Sequence, residues 1–351
     1  MTQFFSTEAA LRQRFQTIGR RLSLQADSQE TWQLWRQALR SRIRELQGVD
    51  RLVPTAPNPR ITETVACDGY RRERVEIDTE PGVTMPVYVL IPDDLPGTAP
   101  GVLAPHGHSS GGKYAVAGIR GLDPGVDQTI DQHNYDYGVQ AVRRGYVVFC
   151  PDARGFGERR ESFTQGSGQL LNSSCHQLAH MALPLGLTVA GMWTWDLMRL
   201  LDYAQTRPEV QGQKLGSIGL SGGGLQTLWL AALDERIACA VISGYFYGVA
   251  DSLLHLSNNC DCNFIPHMWE EADMGDVGAL IAPRPLLIEA ARQDGLNGPR
   301  GIVNVEEQVA ITQRAYDLLD VSDQLATDYF DGGHVWHGTM AFDWLDRWLR
   351  G

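Results

Sequence analysis

The chain has 351 residues, 43% of them hydrophobic and 21% charged, which is enough apolar content for a large core and too much for intrinsic disorder. A formal net charge of −12 argues against nucleic acid or an anionic membrane surface as a main partner, because such polyanions attract clustered cations. The charge is uneven: residues 1–60 carry ten Arg against five acids, +5, which leaves −17 for the remainder.

The opening MTQFFSTEAALRQRF has no basic start followed by an apolar run, and nowhere do about 18 apolar residues run together. The expectation is a soluble protein made without a secretion signal. Six cysteines scattered through a chain of this size do not resemble a disulfide framework, so a reducing cytoplasm is expected.

Residues 6–22 and 28–47 read as two helices. In the second, Asp27 and Glu30 have capping-box spacing. Trp32, Trp35, Leu39, Ile43 and Leu46 recur every three or four residues, and Gly48 can supply a left-handed stop. Arg36, Arg40 and Arg44 form one stripe at i, i+4 spacing. Pro54, Pro57 and Pro59 then deny helix and sheet their amide donors, so Leu52 to Arg60 reads as a linker. Residues 1–60 form a helical extension. It is expected to dock on the acidic body or on a second copy of the chain, and the helices could carry a homo-oligomer.

Residues 61–351 read as the catalytic body. Arg71 to Asp78 and Val83 to Pro92 alternate as β segments around Pro81-Gly82. Apolar runs then alternate with helical patterns. Gly101 to Ala104, Tyr146 to Cys150, Leu215 to Leu220, Ala238 to Ile242 and Pro285 to Ile288 are strand-like, and helices are expected at about 133–144, 191–206, 222–233, 304–320 and 338–350. Continuous apolar strands separated by helices predict an α/β fold, a mostly parallel sheet covered on both faces. Chemistry in such sheets sits at the carboxyl ends of the strands. Residues 155–190 fit neither strand nor long helix and read as an excursion, either a lid or a surface loop.

Gly219-Leu220-Ser221-Gly222-Gly223 matches G-x-S-x-G between a strand and a helix. A nucleophile elbow holds its serine in a strained turn, and bulk two residues away would strike the adjoining strand and helix. Such a serine needs a histidine base oriented by a carboxylate, and in this fold the chain order is Ser, acid, His. His334 follows the strand-like Ala326 to Phe330 and has two flanking glycines; His337 is its competitor. Asp294 lies in the loop Arg292 to Gly295, where it can reach His334. Glu289 falls within the preceding strand and reads as a strand-end charge paired with an arginine. Backbone amides of Gly222 and His108 are the candidate oxyanion donors.

Three groups have metal-ligand chemistry without metal-ligand spacing: His106 with His108; Cys260 and Cys262 with His255 and His267; and Cys175 and His176 with His180. None has paired C-x-x-C spacing, so they read as buried small residues and turn caps, with no metal and no cofactor expected. Trp195, Tyr245, Trp269 and Trp336 lie near strand ends and are candidates for a substrate-stacking wall, although core packing explains such rings equally well.

From about residue 70 to its end the chain resembles α/β-hydrolases of the dienelactone-hydrolase-like and acetylxylan-esterase-like group. The resemblance is carried by Pro105-His106-Gly107-His108, Asp152 to Glu158, Trp195-Asp196, Thr206 to Val210, Gly219 to Gly223, Cys260-Asp261-Cys262-Asn263, Ile281 to Leu287 and Gly332-Gly333-His334. It implies Ser221 as nucleophile, Asp294 as acid, His334 as base, amide donors at Gly222 and His108, and a structural charge network at Asp152, Arg154 and Glu158. The sequence departs from many relatives after the acid. They continue Asp-Pro with an apolar run, whereas here Gly295-Leu296-Asn297-Gly298-Pro299 follows.

The expected function is therefore a serine carboxylesterase acting on a small-molecule, acetyl-like ester through an acyl-enzyme. A prolyl-oligopeptidase-like peptidase shares the elbow and the residue order, but about 70 preceding residues are too few for its β-propeller. A non-catalytic binding module would have no need for all three of Ser221, Asp294 and His334.

Overall fold

The structure, a computed structural model, describes residues 5–162, 170–256 and 259–351. Helix α1 spans Glu8–Ile18 and α2 spans Gln29–Gln47. The capping box of α2 lies one residue later than its sequence suggests. Thr31 N–H donates to Ser28 Oγ at 3.2 Å, and Ser28 N–H donates to Thr31 Oγ1 at 3.0 Å. Asp27 instead accepts the Thr31 hydroxyl. Gly48 ends the helix at φ 75°, and a Cβ there would lie 2.3 Å from Gly186 O. Conformation and close approach thus both demand glycine.

The apolar stripe of α2 buries Trp32, Leu39 and Ile43, and full burial of one such aliphatic side chain stabilises by about 1.5–3 kcal/mol. Its arginine stripe is spent within the chain. Arg40 donates to Ala232 O at 2.8 Å and shares Glu235 with Arg36, while Arg44 turns to Asp50. Arg21 and Arg42 both reach Glu271, and Arg20 reaches the buried Asp276, which also accepts Leu24 N–H at 2.8 Å. The positive extension is therefore laid on acidic patches of the body.

Nine strands form one sheet among the described residues: β1 Arg60–Ala66, β2 Tyr70–Glu80, β3 Val83–Pro92, β4 Ala99–Leu103, β5 Val147–Pro151, β6 Val210–Leu220, β7 Ile237–Ser243, β8 Leu286–Ala291 and β9 Leu325–Phe330. Their order is β1-β2-β3-β5-β4-β6-β7-β8-β9. The first three strands are antiparallel, β3 meets β5 antiparallel, and β5 through β9 run parallel. Strand β1 begins where the sequence suggested a linker ending at Arg60. As an edge strand it is almost wholly exposed and so lacks the apolar alternation that marks a half-buried strand.

The remaining helices are α3 Lys113–Val116, α4 Pro124–His133, α5 Tyr137–Arg143, α6 Cys175–Ala182, α7 Val189–Ala204, α8 Gly222–Leu233, α9 Leu253–Leu256, α10 Met268–Glu271, α11 Met274–Ala279, α12 Ile302–Leu318 and α13 Ala341–Leu345. The helix expected at about 133–144 is α5, and α4 before it is a further helix not expected from the sequence. Asp123 caps α4 with Pro124 at its first position, a strong start signal, and Asn134 stops it at φ 52°. The possible lid at 155–190 resolves into a short turn of helix at Gly157–Arg159 and then α6; its stretch 163–169 lies outside the described residues. No helix among the described residues is long and apolar enough to cross a membrane.

Candidate active site

Strand β6 delivers Ser221 into the turn before α8, with φ 62° and ψ −120°. A non-glycine residue held there is strained, and the surroundings must enforce it. They do so by close contact. A Cβ on Gly219 would meet Gly223 C and O at 2.4 Å, and one on Gly223 would meet Pro105 O at 2.3 Å. Ser221 N–H donates to Ser243 O at 2.9 Å, which fixes the turn against β7.

The loop after β8 carries Asp294 and the loop after β9 carries His334. Asp294 is buried, accepts Leu296 N–H through Oδ1 at 2.9 Å, and holds His334 Nδ1 through Oδ2 at 2.6 Å. A short charge-assisted contact of this kind orients the ring and sets its tautomer. His133, at the end of α4, sits 2.7 Å from His334 O through its Nδ1, and Trp336 N–H returns a bond to His133 O. The backbone of the histidine loop is thereby pinned from a third element.

The two competitors have other partners. His337 stacks on Phe330 with ring centroids 4.2 Å apart and pairs with Asp328 at 2.8 Å. Among the described residues Glu289 pairs with no arginine. Its carboxylate accepts the Ser243 hydroxyl at 2.6 Å and the N–H groups of His337 and Gly338 at 2.7 Å each, so it ties the β7 end to the histidine loop. Burial raises its pKa. The sequence pairing with arginine is corrected by this: a buried carboxylate can be satisfied by neutral donors when backbone amides point at it.

The loop after β4 lies beneath the elbow. Burial holds the His106 pKa near 4, so the ring is neutral. Its Nδ1 donates to Gly107 O at 2.8 Å and its Nε2 accepts Ala153 N–H at 3.1 Å. With both nitrogens engaged, His106 has none left for a metal shared with His108. Gly107 N–H donates to the Tyr135 hydroxyl at 2.9 Å, and a Cβ on Gly222 would lie 2.9 Å from His108 Nδ1. Gly222 and His108 therefore face each other beside Ser221.

Two ion networks underlie this loop. Lys113 is fully buried between Asp152 at 2.7 Å and Glu158, which also binds Arg74. Arg154 bridges Asp196 at 2.8 Å and Glu80 at 2.7 Å, and Arg159 reaches Asp196 at 2.6 Å. Burial alone would raise the pKa of Glu158 and of Asp196. The guanidinium and ammonium partners outweigh it and hold each near 2, below ordinary values of 4.5 and 3.8. Depressed carboxylates contribute stability that is complete above the unfolded pKa and is withdrawn as pH falls through the folded one. Asp273 acts oppositely, because burial raises it to about 6, and its protonation stabilises until about pH 3.8. The urea midpoint should therefore fall steeply between pH 3.8 and pH 2; a midpoint constant over that interval would contradict the assignment of these networks.

A cavity of about 690 Å³ opens over the elbow, and Ser221, Gly222, His108, Asp294 and His334 all line it. Tyr245 lines it too, with Tyr135, Tyr247, Thr129, Asn259, Asn263 and Leu296. Of the four aromatic wall candidates, the three tryptophans lie elsewhere. Trp195 is buried on α7 and donates to Thr79 O at 2.8 Å. Trp269 packs edge-on against Phe15 and Phe264, and Trp336 is core against Tyr137. Tyr135 and Tyr247 gave no sequence signal, since each lies in an ordinary loop or apolar stretch.

The metal-type residues are regrouped by the fold. His255 meets Arg12, and His267 meets Glu270 on the surface, so neither joins the cysteines. His176 and His180 come together with Asp261, whereas His108 comes together with Cys260 and Cys262.

A parallel sheet with a serine elbow at the end of one strand, and an Asp–His pair on the loops after two later strands, is the arrangement of an α/β-hydrolase. The chain belongs to the Abhydrolase family (Abhydrolase_7), whose model matches residues 2–328 and so takes in the N-terminal helices. It is 29% identical over 273 residues to "Putative hydrolase YtaP" of Bacillus subtilis strain 168, covering 75% of this chain and 83% of that protein. Among solved structures it resembles a "putative acetyl xylan esterase" from Bacteroides fragilis NCTC 9343, with TM-score 0.78, 20% identity, and coverage of 93% of this chain and 83% of that one. A glucuronoyl esterase from Solibacter usitatus superposes with TM-score 0.64 at 16% identity, covering 94% and 95%. At these identities the structural likenesses establish the fold.

Proposed function

We propose that the protein is a serine carboxylesterase that hydrolyses neutral, short-chain esters of the acetyl type through an acyl-enzyme. The observation that carries this reading is the 2.6 Å bond from Asp294 to His334 Nδ1, made in the cavity that Ser221 enters on its strained elbow. In this reading His334 Nε2 takes the Ser221 proton as Oγ attacks the ester carbonyl, and then delivers it to the leaving alcohol. Water, activated by the same nitrogen, releases the acid. The peptide N–H groups of Gly222 and His108 receive the oxyanion.

The wall supports a neutral substrate. The cavity residues include tyrosines, asparagines and Leu256 but no Lys or Arg among the described residues, so a substrate carboxylate would be desolvated without a cation. The six cysteines form no disulfide, which supports a reducing compartment such as the cytoplasm.

The test is a fluorophosphonate probe with a panel of aryl esters and proline amides. The expected result is stoichiometric labelling at Ser221 and fastest turnover of acetate or propionate esters. Faster cleavage of proline amides would favour a peptidase, and neither labelling nor turnover would overturn the esterase reading.

A further inference from the structure

We propose that His108, Cys260, Cys262 and Cys175 form a binding site for one zinc-class metal ion, in the wall of the catalytic cavity that His108 and Cys260 line beside the oxyanion loop. Three soft or borderline donors, His108, Cys260 and Cys262, meet there, and the Cys175 thiol from a third chain segment lies beside them. His108 comes from the loop after β4, Cys175 begins α6, Cys260 precedes the turn Asp261–Asn263, and Cys262 lies within it. The ligand atoms of His108, Cys260 and Cys262 all lie within 4.8 Å of one another, and Cys262 Sγ is 3.3 Å from His108 Nε2. Tetrahedral zinc at about 2.0 Å from nitrogen and 2.3 Å from sulfur places such atoms roughly 3.5 Å apart. Cys175 lines a second cavity with His108 and Cys260, and its thiol interacts with those of Cys260 and Cys262.

The surroundings complete the case. Cys175 and Cys262 are each 1% exposed, whereas His108 and Cys260 are half-buried, so two of the thiols are shielded from solvent. Asn263 Nδ2 donates toward Cys262 Sγ at 3.6 Å and to Cys260 O at 2.9 Å, and His176 holds Asp261 at 3.0 Å. The turn between the cysteines is therefore fastened on both sides, as supporting contacts fasten metal ligands. Hydrolysis as read above uses none of the three thiols.

Binding Zn²⁺ would displace the three thiol protons and engage neutral His108 through Nε2, leaving a site of net charge −1. The opposite edge of that ring, Nδ1, faces Gly222. The ion would hold in place the residue whose peptide N–H is assigned to the oxyanion. This makes it a positioning element with no step of the reaction passing through it, and this last link alone rests on the esterase reading.

The experiment uses the full chain, purified under reducing conditions and equilibrated with Zn²⁺ or Co²⁺ alone. Metal content is read by mass spectrometry after gel filtration, and Co²⁺ by its thiolate charge-transfer absorption. The expected result is about one ion per chain, the charge-transfer band, and a higher Tm with metal than after chelation. A Cys260→Ser/Cys262→Ser variant that keeps its circular dichroism should lose both ion and band; if that variant misfolds, chelation of the native chain must still abolish the band and lower Tm. The inference is overturned by a reduced chain that retains no ion, shows no charge-transfer band with Co²⁺ and has a Tm unmoved by metal. Neither readout depends on ester turnover, so this site and the esterase reading can fail separately.

Discussion

Ser221→Ala should lower kcat on a short aryl acetate by about 10⁵- to 10⁶-fold, the scale seen when the nucleophile of a serine triad is removed. KM should change little, because the hydroxyl meets the substrate chiefly in the transition state. The fold should survive. The elbow is imposed by Gly219, Gly223 and the bond from residue 221 N–H to Ser243 O, none of which involves the hydroxyl, and alanine tolerates the turn no worse than serine. Steady-state kinetics with a matched thermal melt check this. A residual rate within about 100-fold of wild type would remove Ser221 from the chemistry, whereas a collapsed melt would show that the turn depends on Oγ.

Asp294→Asn should cost about 10⁴-fold in kcat. The carboxylate now accepts from His334 Nδ1, which leaves Nε2 unprotonated and able to accept from Ser221. An asparagine can offer its NH₂ to Nδ1 instead, putting the ring proton on Nε2, where it cannot act as base. The backbone bond from Leu296 to Oδ1 would persist through the amide oxygen, so Tm should move little. Labelling by the fluorophosphonate should slow in parallel with turnover. Glu289→Gln separates this from a general effect of charge: Glu289 holds the His337 and Gly338 amides, so its loss should lower Tm more than Asp294→Asn does.

The elbow and its partners were legible because their chemistry is local. G-x-S-x-G between an apolar strand and a helix has a steric cause that a linear pattern displays, and Asp294 and His334 stand in polar loops directly after strands. The cavity wall was not legible. Tyr135 and Tyr247 line it through loop paths that no periodicity encodes, while Trp195 and Trp336 look alike in sequence whether they face a site or a core. The edge strand β1 hid because exposure on both faces erases alternation. The capping shift at α2 turned on Thr31 serving as both donor and acceptor, a choice settled by side-chain rotation. In the sequence the members of the Cys–His cluster stand in three separate groups, because His108 and Cys262 are 154 residues apart, and only the fold brings them together.

The docking of α2 also has a consequence for synthesis. Arg40 bonds Ala232 O across 192 residues and Leu24 bonds Asp276 across 252. The helix leaves the ribosome long before its seat exists, carrying Trp32, Leu39 and Ile43 with nothing to cover them. Contacts of such separation form late, since the entropy of closing the intervening chain comes before any reward. Until residues up to about 280 have emerged, this stripe is a sticky surface on a nascent chain, and its interspersed arginines are what keep it hydrated while it waits.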